Sequence, residues 1–338
     1  MMPHCGAPPN GVEVAGHQFS DRTMPANTSR RVALAVLALA VVSLAQPAAA
    51  QPKVKSILFV GNSFTFGANS PLLRFHAHDV TDLNKAGFGG VPALFGIFAK
   101  EAGLSFEVSQ ETSPGKTLEW HYTERAPVLA GKWDVVILQG YSTLDPALPG
   151  DPRQHVVGAQ HLASLFKAAN PDAKIGLVST WARADQVYKP TGHWYGKPID
   201  VMAADLAASS VLALKAAPEI SMVFPVGTAW GRAMREGIAD PNPYDGIDYG
   251  KVNLWTWDQY HASTEGYYLE ALVIFGEVTG VDPTTLGPLE AAANELGMSP
   301  VVTKALQTVA QEELVAARAA ALPGPALVPP VTGSAPRP

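Results

Sequence analysis

The sequence predicts an α/β fold in which a parallel sheet carries helices on both faces, and three observations predict it. Short apolar, β-rich runs recur along the chain, and segments with helical spacing lie between them. The hydrophobic share of the chain, 47%, is ample for a core on each side of such a sheet. The runs are Ile57–Val60, Ser105–Val108, Asp134–Leu138, Lys174–Val178 and Ser221–Val226, which implies a five-stranded, doubly wound sheet.

The first run ends in Gly61-Asn62-Ser63-Phe64, a small polar turn at the carboxyl end of a strand. In open α/β sheets ligands sit at that end. A serine there points its hydroxyl out of the sheet while neighbouring N–H groups face the same space, and a following helix would add its positive end. The first helix is expected only at about Val91, because Thr65 to Gly90 is long and carries Gly87-Phe88-Gly89-Gly90. Asp151-Pro152 reads as an N-cap and first helical position, followed by Leu162, Leu165, Phe166 and Ala169 on one stripe. Val201 to Ala216 reads as a second helix. Thr264-Glu265 opens a third, with Tyr268, Ala271, Leu272 and Phe275 inside. Arg183 to Pro198 holds Tyr188, His193, Trp194 and Tyr195 among Gly and Pro, and is expected to be a functional loop. The architecture expected is a three-layer, flavodoxin-like α/β domain over residues 54–321.

The ends read differently. Arg30-Arg31, an apolar run from Val32 to Ala45 and the small residues before Gln51 describe a secretory signal within residues 1–50, with Met24 as the expected start and cleavage expected after Ala50. The run holds about 14 apolar residues, short of the roughly 20 that span a bilayer. The expected location is therefore the periplasm or the exterior, with no membrane association after cleavage. Residues 322–338 are Pro/Ala-rich and expected to be disordered.

Charge and cysteine usage narrow the chemistry. Net charge is −6, and losing the three basic and two acidic residues of 1–50 leaves −7. No Lys/Arg cluster or basic stripe is present, which disfavours nucleic acid and anionic membranes as partners. Cys5, the one cysteine, precedes the expected cut, so disulfides, thiolate zinc sites and a cysteine nucleophile are excluded from the mature chain. His76-x-His78-Asp79 could ligate zinc, but with no further clear ligand nearby a solvated loop is expected.

A second chemical signal lies far downstream, in Trp257-Asp258-Gln259-Tyr260-His261. An aspartate three residues before a histidine, ahead of a helix, lets both face one site. A serine nucleophile needs a base, and the base needs a group that fixes its tautomer. Ser63, His261 and Asp258 supply that set; a helix-capping serine and a surface histidine are the plainer alternatives. Gly61-Asn62-Ser63 followed much later by Asp258-x-x-His261 resembles the SGNH (GDSL-like) hydrolases, over about Ile57 to Gly280. The resemblance implies a flavodoxin-like esterase with a Ser63–His261–Asp258 triad and no metal or other cofactor. It also implies an oxyanion hole that includes the Ser63 and Gly115 N–H groups.

Where the family has Gly-x-Asn-Asp after the third strand, this chain has Gln139-Gly140-Tyr141-Ser142. That block is similar to the Gln-Gly motif of sialate-type acetylesterases, which makes Gln139 the expected third donor and Ser142 the fallback. The expected activity is hydrolysis of a small-molecule or carbohydrate ester, foremost O-acetylated carbohydrate. A general short-chain esterase or lipase, a silent glycan-binding protein and an acyl transferase are the alternatives. Trp257, beside the pair, and Trp194 and Tyr195, in a polar loop, are the expected substrate-stacking residues. Oligomeric state is not legible in the sequence.

Overall fold

The computed structural model describes residues 54–321. The expected export signal, the start at Met24, Cys5 and the tail 322–338 lie outside the described residues. The described strands are β1 (Lys55–Gly61), β2 (Thr81–Asp82), β3 (Phe106–Thr112), β4 (Val135–Gln139), β5 (Lys174–Val178) and β6 (Ile220–Phe224). They form one six-stranded sheet in the order β2-β3-β1-β4-β5-β6, every pairing parallel. Without β2 this is the flavodoxin-like order the sequence predicts. The extra edge strand is a correction: Thr81-Asp82 has no apolar alternation to announce it and is held by pairing with Ser109 and Gln110 of β3.

The helices are α1 (Gly90–Glu101), α2 (Leu118–Leu129), α3 (Arg153–Ala169), α4 (Ala184–Tyr188), α5 (Ile199–Ala216), α6 (Val226–Arg235), α7 (Thr264–Thr279), α8 (Ala291–Glu295) and α9 (Pro300–Ala321). The period of two along β1 decides the layering. Ile57 and Phe59 join a core with Phe95 of α1, Trp230 of α6, Phe275 of α7 and Leu314 of α9. Leu58 and Val60 join the opposite core with Leu118 of α2, Phe166 of α3 and Ala213 of α5. Each of these β1 side chains is fully or almost fully buried, worth about 2 kcal/mol apiece relative to exposure. Among the described residues, no helix is long and apolar enough to cross a membrane.

Helix boundaries follow local chemistry. α3 starts one residue later than predicted: Pro152 precedes it, and Asp151 Oδ1 accepts from the Arg153 N–H at 3.0 Å. α7 is capped by the Ser263 hydroxyl, which accepts from the Gly266 N–H at 3.2 Å, and closes at left-handed Gly280. Its predicted inner residues are buried, but so is the whole run from Gly266 to Gly276. The helix runs through the core rather than along its edge. The predicted loop Arg183–Pro198 contains α4, a correction caused by the buried Ala184 and Val187 packing beneath it.

Candidate active site

Three strand ends converge where the sequence places its first signal, and the asparagine and glutamine there hold them together. Asn62 Nδ2 donates to the carbonyls of Lys116 and Gly140, each at 3.1 Å, joining the turns after β1, β3 and β4. Gln139 Oε1 accepts from the Asn62 N–H at 2.9 Å and from the Thr65 hydroxyl at 3.1 Å, and its Nε2 donates to the Gly140 carbonyl. Gly61 has to be glycine, since a Cβ there would run into Thr65 Oγ1 and the Gln139 side chain.

In this arrangement Gln139 acts as a strut between the turns. It is buried, and its Nε2 donates within the turn rather than facing the open side expected of an oxyanion donor. The fallback Ser142 is also buried, and its hydroxyl accepts from Arg183 Nη1 at 3.2 Å.

Ser63 lies in the turn just past β1 and is 7% exposed. Its carbonyl accepts from the Tyr267 hydroxyl at 3.1 Å and from the Ala68 N–H at 3.1 Å, which fixes the turn against α7. No helix follows it directly in the chain; α1 begins at Gly90, and the Val91 N–H at its amino end donates to the Thr65 carbonyl at 3.0 Å. Among the described residues, no group accepts from the Ser63 N–H or the Gly115 N–H. Gly115 sits at φ +66 with open space where a Cβ would be. Its turn is tied to the first by the Ser113 N–H, which donates to the Gly61 carbonyl at 3.0 Å.

The loop before α7 closes on itself. The Thr256 N–H donates to the His261 carbonyl at 2.8 Å, and the Gln259 N–H to the Thr256 carbonyl at 2.9 Å. Within this loop Asp258 Oδ1 accepts from the N–H groups of Tyr260 and His261 and from the Thr256 hydroxyl, at 3.0, 2.9 and 2.8 Å. Asp258 Oδ2 faces His261 Nδ1 at 2.6 Å. Burial would raise the Asp258 pKa, but the hydrogen bonds from His261 and Thr256 outweigh it and hold the carboxyl down at about 2. An ionised carboxylate here requires the proton on Nδ1. That leaves Nε2 with its lone pair, and Nε2 is buried with no partner among the described residues.

The segments that carry the two signals meet through Phe64 and Asn69. The Phe64 ring lies edge-on to the His261 ring at 5.7 Å. Asn69, six residues after Ser63, reaches across: its Nδ2 donates to Asp258 Oδ2 at 2.8 Å and lies 3.3 Å from His261 Nδ1. Sequence reasoning missed Asn69, and its one local signal is a turn, realised as a left-handed φ of 60°. It also passed over Tyr260, inside the Asp258-x-x-His261 motif. The Tyr260 phenol faces both the Ser63 and Ser142 side chains, and burial raises its pKa, so it stays protonated. The Arg183 guanidinium stacks on the Tyr260 ring at 3.7 Å while paired with Asp185 at 2.7 Å.

The expected stacking residues divide. Trp257 is 79% exposed beside Asp258. Tyr195 is exposed, its N–H donating to the Gly192 carbonyl. Trp194 is fully buried, packed with Leu144, Met202 and Leu206, and its Nε1 donates to Asp205 Oδ2 at 2.8 Å. It is a core residue, which corrects its expected role: the neighbouring Gly and Pro signalled a loop but not which side chains fold inward. A cavity of about 670 Å³ lies away from this site, lined by residues such as Val54, Ser105 and Phe106 at the amino ends of β1 and β3.

No protein-family model and no curated protein matches the chain. Solved structures do. A DUF4886 family protein from Bacteroides uniformis shares 17% identity, covering 78% of this chain and 95% of its own, with a TM-score of 0.55. That likeness shows a common fold. A protein assigned as a GDSL-like lipase, from Parabacteroides merdae, gives 18% identity over 68% of this chain and 97% of its own, at a TM-score of 0.49. A family 3 carbohydrate esterase from Talaromyces cellulolyticus gives 11% identity over 66% and 95%, at 0.41.

Proposed function

We propose that this protein is an exported serine esterase that removes short acyl groups, acetyl foremost, from carbohydrate. The observation that carries this reading is the 2.6 Å contact between Asp258 and His261 Nδ1, with Nε2 unpartnered beside the turn that holds Ser63. In the proposed reaction Nε2 takes the Ser63 proton as Oγ bonds to the ester carbonyl carbon. The carbonyl oxygen becomes an oxyanion, and the N–H groups of Ser63 and Gly115 are free to receive it. With the Gln139 amide committed, the Tyr260 phenol takes the third place, since it faces Ser63 and keeps its proton.

His261 then returns the proton to the alcohol oxygen as the C–O bond breaks. A water that gives its proton to His261 attacks the acyl-serine, and the carboxylic acid leaves as Oγ regains hydrogen. The sugar is supported by Trp257, a flat apolar face left in solvent beside Asp258. Export rests on the Arg30–Ala50 segment of the sequence.

The test is hydrolysis by the purified chain of nitrophenyl esters of increasing acyl length, alongside acetate release from acetylated xylo-oligosaccharide. Turnover that falls with acyl length, together with acetate release from the sugar, is the expected result. No turnover of any ester overturns the reading, and a preference for long acyl chains overturns its carbohydrate part. In the same assay Tyr260→Phe is expected to lose about 100-fold in kcat with KM little changed, the usual cost of one oxyanion donor.

A further inference from the structure

At the opposite end of β1 and β3, on the rim of the 670 Å³ cavity, stands a group of side chains that the proposed reaction does not use. His76, His78 and Asp79 each offer a ligand atom, and these atoms all lie within 4.8 Å of one another. The sequence offered no further partner for them nearby; the fold brings one from α8. Glu295 Oε2 lies 2.7 Å from His76 Nε2, across 219 residues of chain. From these contacts we infer that His76, His78 and Asp79 form a binding site for a divalent transition-metal cation of the zinc type, with Glu295 orienting His76.

One separation already fits that cation, and the ligand atoms need only small shifts to close on it. Zinc bonds of about 2.1 Å in tetrahedral geometry place neighbouring ligand atoms about 3.4 Å apart. His78 Nε2 and Asp79 Oδ1 are 3.5 Å apart. His76 Nδ1 and Asp79 Oδ2 are closer, at 2.8 Å, and a shift of a few tenths of an ångström opens them. Asp79 is 57% exposed, which leaves room for that shift.

The two nitrogens of His76 divide the work. Nδ1 faces Asp79 and the cluster, while Nε2 is held on Glu295. A metal-bound histidine donates its other N–H to a carboxylate in just this way, which fixes its tautomer and strengthens it as a ligand. Charge agrees as well: Asp79 and Glu295 together neutralise a dication. Imidazole nitrogens with carboxylate favour zinc-type ions over calcium or magnesium, which take oxygen ligands. Bound there, the ion would staple the segment after the Ser63 turn to α8.

The experiment is zinc titration of the tag-free full chain by equilibrium dialysis, with cobalt as a spectroscopic substitute. One zinc per chain and a tetrahedral cobalt band are expected. His78 is 79% exposed, so His78→Ala should fold normally and lose both signals. Glu295→Gln should weaken binding by about 10- to 100-fold. His261→Ala should leave binding unchanged, which separates this site from the Asp258–His261 pair. The inference is overturned if the chain takes up no zinc, if His78→Ala retains it, or if His261→Ala abolishes it.

Discussion

Ser63→Ala is expected to lower kcat on an activated acetyl ester by at least about 10⁴-fold, approaching the 10⁶-fold seen when a triad serine is removed elsewhere. No lesser effect fits a nucleophile, because the residual oxyanion donors cannot form the acyl bond. The fold should not change. The Ser63 turn is held through its carbonyl, by Tyr267 and Ala68, and alanine keeps that carbonyl. The side chain is small and its hydroxyl faces Tyr260, so thermal stability should move by less than about 1 kcal/mol. Parallel rate and circular-dichroism measurements check both halves. An alanine variant that melts normally and still turns over at the parent rate places the nucleophile elsewhere, and Ser142 is then the serine to examine.

Asp258→Asn is expected to cost about 10⁴-fold in kcat through the tautomer of His261. The asparagine amide would present a donor to Nδ1, so the ring would hold its proton on Nε2 and lose the lone pair that acts as base. The variant also gives up a carboxylate that accepts from Thr256, Tyr260, His261 and Asn69, so a loss of stability accompanies it. The sign of the pH dependence follows from the depressed carboxyl, at about 2. Its contribution is complete above the unfolded value of about 3.9 and disappears as pH falls through the folded value. The Asp258→Asn/His261→Ala double variant should be no slower than His261→Ala alone, since the two act as one unit. Additive losses would mean that the aspartate serves something other than the histidine.

Much of the fold was legible because strand signals are local. β1 and β4 read as continuous apolar runs, as strands buried on both faces must. β2 was invisible because two polar residues acquire strand geometry only from the β3 edge. The site was legible where chemistry and short spacing coincide, as with Asp258 and His261. It was not legible where a role depends on direction. Gln139 and Ser63 both sit at strand ends, yet Gln139 turns inward to hold Asn62. Trp194 and Tyr195 are adjacent in one loop, yet one is core and the other faces solvent. Asn69 and Glu295 owe their positions to contacts across most of the domain, which no local pattern encodes.

The bond from Asn69 to Asp258 joins an early turn to a late loop. A growing polypeptide has no Asp258 until most of its length has been made, and before then the serine stands without its partners. Whatever this centre does is thus silent during synthesis, and switches on only with the finished domain.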